Sequence, residues 1–396
     1  MKKIIILCII SMSMILAACA PEARTNNQPV TNPVSADALT LTPAVQSTST
    51  DESNAIANPT ATGRPTRTPT SGTKPTRTPT PADGTKPTRT PTSTGGSTPT
   101  RTPTPLSIAA SSAKLAPVSD LYGKVPNFDH IVLILLENRD YEEIIGNASM
   151  PKLNALAKKN VLMTNNYAVR HPSLPNYIAL MSGDTQGITK DCIDCFVDTT
   201  NLADLIETSG RTWKSYQESM PSPCFVGNDS PYVQKHNPLI YFDSIRLNTG
   251  RCENSIVPLT QLDSDLSSGQ FPNFAFIMPN MCNSGHDCPL DTADQWVSGM
   301  VDRLQSSSAL GDNSLIIITF DEGNEKNTTT CCGLPSKAGG RIVTVLISPQ
   351  AKPGITDGSP ISHYGLLKTI LAAWSLPDLG NTALADTQAI LSPWKK

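Results

Sequence analysis

The chain has 396 residues, with 31 Lys and Arg against 34 Asp and Glu, 38% hydrophobic residues, 5% aromatic residues and 34 prolines. That is too much proline and too little apolar surface for one large globule. A net charge of −3 leaves no electrostatic footprint for a nucleic-acid partner. No apolar run after residue 20 approaches the about 18 residues that a spanning helix needs. The averages conceal three segments. Residues 1–19 are apolar, and residues 20–125 hold 16 of the 34 prolines with a single aromatic, Tyr122. Residues 126–396 hold nearly everything that can form a core, which predicts one folded domain of 271 residues.

Lys2 and Lys3 precede an apolar stretch from Ile4 to Leu16, and Leu16-Ala17-Ala18-Cys19 follows. A basic start, a short apolar core and small residues before a cleavage point make an export signal. Leu-Ala-Ala-Cys resembles the lipobox of bacterial lipoproteins. The resemblance implies a signal peptide over 1–18 and a lipid-modified Cys19 as the first mature residue. It also implies an exported domain, anchored to the bacterial membrane and facing outside the cytoplasm. Acyl chains hold such an anchor at about 0.8 kcal/mol per buried CH₂.

Residues 19–125 then read as a lipid-anchored, disordered stalk rich in Thr and Pro. Pro-Thr-Arg-Thr-Pro-Thr occurs four times, from Pro65, Pro75, Pro87 and Pro99, with no apolar face to stack. With so little to bury, ordering entropy is not offset, and the prolines favour an extended spacer. The competing reading, polyanion binding through Arg67, Arg77, Arg89 and Arg101, is weaker because these cations are spread out.

From residue 126 the pattern changes. Residues 129–136 form a continuous apolar run, as in a strand buried on both faces. Helical patterns follow around 139–146 and 150–158, then at 200–209, 292–305 and 363–373. Further strand-like runs cover 274–278, 314–320 and 341–347. Buried strands alternating with helices predict an α/β fold with a largely parallel sheet. Sites in such sheets form beyond the carboxyl ends of the strands.

Two of the predicted strands release oxygen-bearing pairs there: Glu137-Asn138 after the first run, and Asp321-Glu322 after 314–320. Either pair alone is an ordinary turn or cap. Together they favour one divalent cation, since hard oxygen ligands suit Ca²⁺, Mg²⁺ or Mn²⁺. Between them, Pro175 suits a first helical turn and Gly183 a helix end, which places Ser173 just before a helix start. Helix starts favour anions, including phosphoryl groups. A metal beside Ser173 would lower its pKa, and Asn176 would donate to a phosphoryl oxygen.

Glu137-Asn138-Arg139, residues 172–177 (Pro-Ser-Leu-Pro-Asn-Tyr) and Asp321-Glu322-Gly323 occur in that order. So do Pro279-Asn280-Met281-Cys282-Asn283 with His286-Asp287-Cys288, and Ser362-His363-Tyr364. This set resembles the phosphoesterase family of acid phosphatases and non-haemolytic phospholipases C. The resemblance spans roughly residues 128–375 and implies an alkaline-phosphatase-like three-layer sandwich. It also implies Glu137, Asn138, Ser173, Asp321 and Glu322 as metal ligands and Ser173 as nucleophile. His286 and His363 would contact the phosphate or assist the leaving group. His171 ranks below them, and His130 and His236 read as structural or surface residues. Asp294 matches an acidic position of the family but also suits a helix start. Where many two-zinc relatives carry Asp-His, this chain has Asp321-Glu322, which favours a single metal, zinc included among the options. Position 284 is Ser where relatives often have an acidic residue.

With Cys8 in the signal and Cys19 lipidated, eight cysteines remain: Cys192, Cys195, Cys224, Cys252, Cys282, Cys288, Cys331 and Cys332. An even number in an exported chain predicts disulfides rather than a zinc site. A Cys282–Cys288 bond would brace the His286 loop. Adjacent Cys331 and Cys332 are expected to take separate partners.

These readings converge on a metal-dependent phosphomonoesterase of acid phosphatase type, working through a phosphoserine. The alternatives are a phospholipase C or other phosphodiesterase, a phosphoinositide phosphatase, or a surface binding protein without activity. The segments carry +2, +4 and −9, so the acidic domain favours small phosphate esters or lipid headgroups over polyanions.

Overall fold

The computed structural model describes residue 121 and residues 123–396. The signal peptide, Cys19, the four repeats and Tyr122 lie outside the described residues. In chain order the strands are β1 (His130–Leu136), β2 (Val161–Tyr167), β3 (Trp213–Gln217), β4 (Ile256–Pro258), β5 (Phe274–Met278), β6 (Ser314–Phe320), β7 (Arg341–Ile347), β8 (Ile355–Asp357) and β9 (Ile361–Ser362). They form one sheet in the order β4-β3-β5-β1-β6-β7-β2-β8, with β9 beside β2. Every pairing is parallel except those of β7, which runs against both β6 and β2. The largely parallel sheet is therefore present, with one strand reversed.

The helices are α1 (Tyr141–Ile144), α2 (Pro151–Lys159), α3 (Ser173–Ser182), α4 (Leu202–Thr208), α5 (Asp243–Arg246), α6 (Thr249–Ser255), α7 (Gln261–Ser268), α8 (Leu290–Gln305) and α9 (His363–Ala373). Alternation along β1 explains its unbroken apolar run. Ile131, Leu133 and Leu135 pack with α3, α4 and α9. Val132, Ile134 and Leu136 pack with α2, α7 and α8 on the other face. The result is a three-layer sandwich in which each such side chain contributes about 1.5–3 kcal/mol on burial.

Five strands, β2, β3, β4, β8 and β9, were not visible in the sequence, and β2 and β3 are the longest of them. In β2, Thr164, Asn165 and Asn166 interrupt the apolar pattern at a bulge. Inside the sheet Asn166 Nδ2 donates to Thr344 Oγ1 at 2.6 Å, and Thr344 pairs with Thr319 at 2.7 Å. In β3, Lys214 and Tyr216 both donate to Asp265 of α7, at 2.6 and 2.7 Å. Partners far away in the sequence make these polar residues compatible with burial.

Strands β1, β6 and β2 all end at the same edge of the sheet. Because β7 is reversed, it starts there too, so the 321–340 connection stays at that edge. Gly339 fits it closely, since a Cβ would lie 2.5 Å from the Arg170 carbonyl oxygen. Pro172, the N-cap, precedes α3, so Ser173 is its first residue, one position further into the helix than expected. All ten residues of α3 are buried, and Gly183 ends it at φ +74°. A Cβ on Gly183 would lie 2.0 Å from the Leu379 carbonyl oxygen. Gly183→Ala is therefore expected to cost at least about 2 kcal/mol in urea unfolding, and an unchanged midpoint would contradict this packing.

Candidate active site

The ends of β1 and β6 bring Glu137, Asp321 and Glu322 together, each 0–1% exposed. Ser173, carried in from the start of α3, places its Oγ 3.1 Å from Glu322 Oε1. The same oxygen lies 3.4 Å from both Glu137 Oε2 and Asn138 Oδ1. The five residues assigned to a metal thus meet at one place. The Asn138 backbone N–H donates to Asp321 Oδ1 at 3.0 Å and ties the two strand ends together.

The Asn138 amide lies between two of the carboxylates. Its nitrogen, turned towards them, donates to Glu137 Oε2 at 3.0 Å and to Asp321 Oδ1 and Oδ2 at 3.1 and 3.3 Å. The carboxylates themselves carry the case for a cation: burial, then Glu137 and Glu322, push the Asp321 pKa well above the usual range. Glu322 is raised by burial and by Glu137, against the pull of His171. Among the described residues no three His, Cys, Asp or Glu side chains form a preformed metal cluster. The donor set depends instead on Asn138 and Ser173 and is all oxygen, which fits a single hard cation.

Glu137 differs from the other two carboxylates. Burial raises it, but His236, then Lys235 and Tyr177, outweigh that and hold its pKa at about 2. His236 Nε2 lies 3.1 Å from Glu137 Oε2, and its ring stacks on Tyr177 at 5.4 Å. Tyr177 in turn donates its hydroxyl to Glu137 Oε1. His236, expected to be structural or superficial, is thus a buried partner of the first carboxylate. Its only signal in the sequence is the Asn237-Pro238 turn that follows it.

The other histidines redistribute as well. His171 Nδ1 lies 2.6 Å from Glu322 Oε2, and Nε2 lies 2.8 Å from the Asn327 carbonyl oxygen. The Asn327 carbonyl oxygen only accepts, so Nε2 donates to it, and Nδ1 shares a proton with the Glu322 carboxyl. In agreement, Glu322 and the Asn327 carbonyl raise the His171 pKa against the opposing effect of burial. His286 stands at the mouth, 30% exposed and 2.7 Å from Asp287 Oδ1. With Asn138, Arg139 and residues 324–326 it lines a cleft of about 240 Å³. A larger cavity of about 530 Å³, beside Tyr364 and Cys332, contains none of the carboxylates.

His363 is fully buried at the start of α9, with Nε2 on the Asp321 carbonyl oxygen and Nδ1 without a partner. In this structure it positions the Asp321 backbone. Burial pushes its pKa from 6.5 down to about 4, so the ring is neutral at pH 7. Between those values the unfolded chain binds a proton that the folded chain does not. Stability therefore falls as pH falls through that window, by up to about 3 kcal/mol. His363→Gln is expected to flatten this part of the curve in urea melts taken from pH 7 to 4. An unchanged slope would contradict the assignment.

Three expectations are corrected. Asn176 does not face a phosphoryl site. Its Oδ1 accepts from the Val169 and Arg170 N–H groups at 2.8 and 3.1 Å. Its Nδ2 donates to the Arg170 and Pro172 carbonyls at 2.7 and 3.2 Å. With every bond committed, Asn176 holds the loop that delivers Ser173. Asp294 serves another helix than its own, accepting from the Lys152 and Leu153 N–H groups at the start of α2. Cys331 and Cys332 bond each other, in a turn where Cys332 has φ +58°. The remaining pairs are Cys192–Cys195, Cys224–Cys252 and Cys282–Cys288. The last of these brackets His286 as expected.

The Phosphoesterase family matches residues 147–377. An acid phosphatase of Aspergillus fumigatus is 35% identical over 286 residues, 69% of this chain and 60% of that protein. A probable acid phosphatase of Kluyveromyces lactis is 35% identical over 282 residues, 69% of this chain and 64% of that one. A phosphatidylinositol-3-phosphatase of Mycobacterium tuberculosis is 31% identical over 265 residues, 65% of this chain and 80% of that one. The chain thus spans about three-fifths of the length of the acid phosphatases it matches. Among solved structures, a protein in the alkaline phosphatase superfamily from Vibrio parahaemolyticus aligns at TM-score 0.48 and 12% identity. That alignment covers 70% of this chain and 75% of that one.

Proposed function

The chain belongs to the Phosphoesterase family, and from that premise we propose that it is a metal-dependent phosphomonoesterase of acid phosphatase type. The observation that carries this reading is Ser173 Oγ at the start of α3, within 3.1–3.4 Å of Glu322, Glu137 and Asn138. Glu137, Asn138, Asp321, Glu322 and Ser173 would hold one divalent cation. Bound there, it supplies charge that lowers the pKa of the serine hydroxyl and neutralises phosphoryl oxygens.

The chain's own groups do the rest. The Ser173 proton moves towards Glu322 Oε1, while His171 Nδ1 holds the other Glu322 oxygen. Ser173 Oγ bonds to phosphorus as the bond from phosphorus to the ester oxygen breaks, and the alcohol leaves with a proton from His286 or water. Water then hydrolyses the phosphoseryl group and frees Ser173. Positioning and charge neutralisation supply most of the acceleration in such a transfer.

The match to a phosphatidylinositol-3-phosphatase over 80% of that protein supports a second reading, with a lipid headgroup as substrate. Rates on p-nitrophenyl phosphate, its bis ester, phosphatidylcholine and phosphatidylinositol 3-phosphate separate the readings. Monoester turnover well above that of the bis ester and phosphatidylcholine supports the first; faster bis-ester cleavage makes it a diesterase. We place the domain outside the cytoplasm on a lipid anchor at Cys19, a reading supported by Lys2-Lys3, the apolar stretch and Leu16-Ala17-Ala18-Cys19. Globomycin-sensitive acyl labelling tests it, and unlabelled soluble protein would refute it.

A further inference from the structure

A carboxylate outside the cluster of Glu137, Asp321 and Glu322 organises the loop that carries His286. β3 runs parallel to β5, and β5 to β1, so Glu218, the residue after β3, emerges at the same edge as Glu137. Glu218 is half-buried. Its Oε2 accepts from the Asn280 N–H at 2.9 Å and from Asn283 Nδ2 at 3.0 Å. Its Oε1 accepts from Asn283 Nδ2 at 2.9 Å and from Trp296 Nε1 of α8 at 3.1 Å. A backbone amide, a side-chain amide and an indole are all neutral donors. Their bonds to a charged carboxylate are about twice as strong as neutral pairs.

The same loop also docks on the end of β1. The Ser284 carbonyl accepts from the Glu137 N–H at 3.1 Å, and the Gly285 carbonyl from Arg139 Nη2 at 2.6 Å. His286 follows directly, inside the loop closed by the Cys282–Cys288 disulfide, and lines the cleft that Asn138 also lines. Its place is thus fixed from two strand ends.

We propose that Glu218 is a positioning residue: by holding Asn280 and Asn283, it sets His286 where the ring gives a proton to the departing ester oxygen. As Ser173 Oγ bonds to phosphorus, the bond from phosphorus to the ester oxygen breaks. That oxygen keeps the electron pair and takes the His286 proton, leaving an alcohol and a neutral imidazole. This rests on the phosphoesterase reading and selects His286 over water as the proton donor.

Leaving-group dependence is the readout, because phenolate needs the proton and the less basic p-nitrophenolate hardly does. Glu218→Ala should lower kcat/KM at least about tenfold on phenyl phosphate and no more than about threefold on p-nitrophenyl phosphate. His286→Ala should show the same selective loss, and the double variant should lose little beyond His286→Ala alone. Glu218→Gln keeps one acceptor oxygen and should restore part of the phenyl phosphate activity. If Glu218→Ala does not fold, Asn283→Ala, which removes one of the loop's grips on Glu218, should show the selective loss instead. Equal losses on the two esters, or none, would overturn the proposal, as would fully additive losses in the double variant. Hydrogen exchange over residues 279–289 needs no turnover, and Glu218→Ala should quicken it at least about tenfold. Unchanged exchange in an active enzyme would sink the positioning role alone. A wild type that hydrolyses neither ester, with exchange quickened in the variant, would instead sink the enzymatic reading and the proton transfer with it.

Discussion

Ser173→Ala should lower p-nitrophenyl phosphate turnover by about 10³-fold or more while the domain stays folded. Both halves of this expectation come from the same geometry. Ser173 Oγ is the nucleophilic atom among the carboxylates, and its hydrogen bonds there are long, 3.1–3.4 Å. The helix does not depend on the hydroxyl, because Asp191 satisfies the Leu174 N–H and Asn176 holds the preceding loop. Stability in urea should change by no more than about 1 kcal/mol. Turnover close to wild type would refute the nucleophile assignment.

The second large effect concerns the cation. Chelation with EDTA should silence the enzyme, and one of Mg²⁺, Mn²⁺, Ca²⁺ or Zn²⁺ should restore it. Asp321→Asn separates this from a merely structural role. Without metal, Asp321 is fully buried between Glu137 and Glu322, whose charges disfavour its ionised form. Removing that charge should leave the chelated protein as stable as wild type or slightly more so. In wild type, a saturating cation should add about 2.7 kcal/mol at a hundredfold excess over its Kd. In Asp321→Asn that gain should largely vanish and activity should fall with it. Equal cation-induced stabilisation in both proteins would contradict the ligand set.

The legibility of this chain follows the distribution of its polar residues. Strands β5 and β6 are buried at every position and β1 at all but His130, so their apolar runs stand out in the sequence. Strands β2 and β3 place Asn166, Ser215 and Gln217 in the interior, and nothing local announces that Thr344 or neighbouring side chains will satisfy them. The site divides in the same way. Glu137, Asn138, Asp321 and Glu322 were legible because they directly follow apolar runs at strand ends. His171 and His236 reach the same carboxylates from a loop and a short turn, through contacts 151 and 99 residues apart in the chain, which periodicity does not register. Asn176 shows the opposite error. Its place one turn into α3 looked like a position facing substrate, yet the backbone of Val169, Arg170 and Pro172 takes all its hydrogen bonds. Cys331 and Cys332 were expected to separate because adjacent cysteines resist bonding in extended chain. The positive φ at Cys332 supplies the turn that brings them together.

A covalent phosphoseryl intermediate at the start of α3 is the central step of the proposed reaction. Acid quenching during turnover of p-nitrophenyl phosphate, followed by peptide mass spectrometry, tests it directly. The prediction is a phosphate on Ser173, absent from Ser173→Ala and from EDTA-treated protein. Full turnover with no phosphorylated Ser173 at any quench time would contradict it.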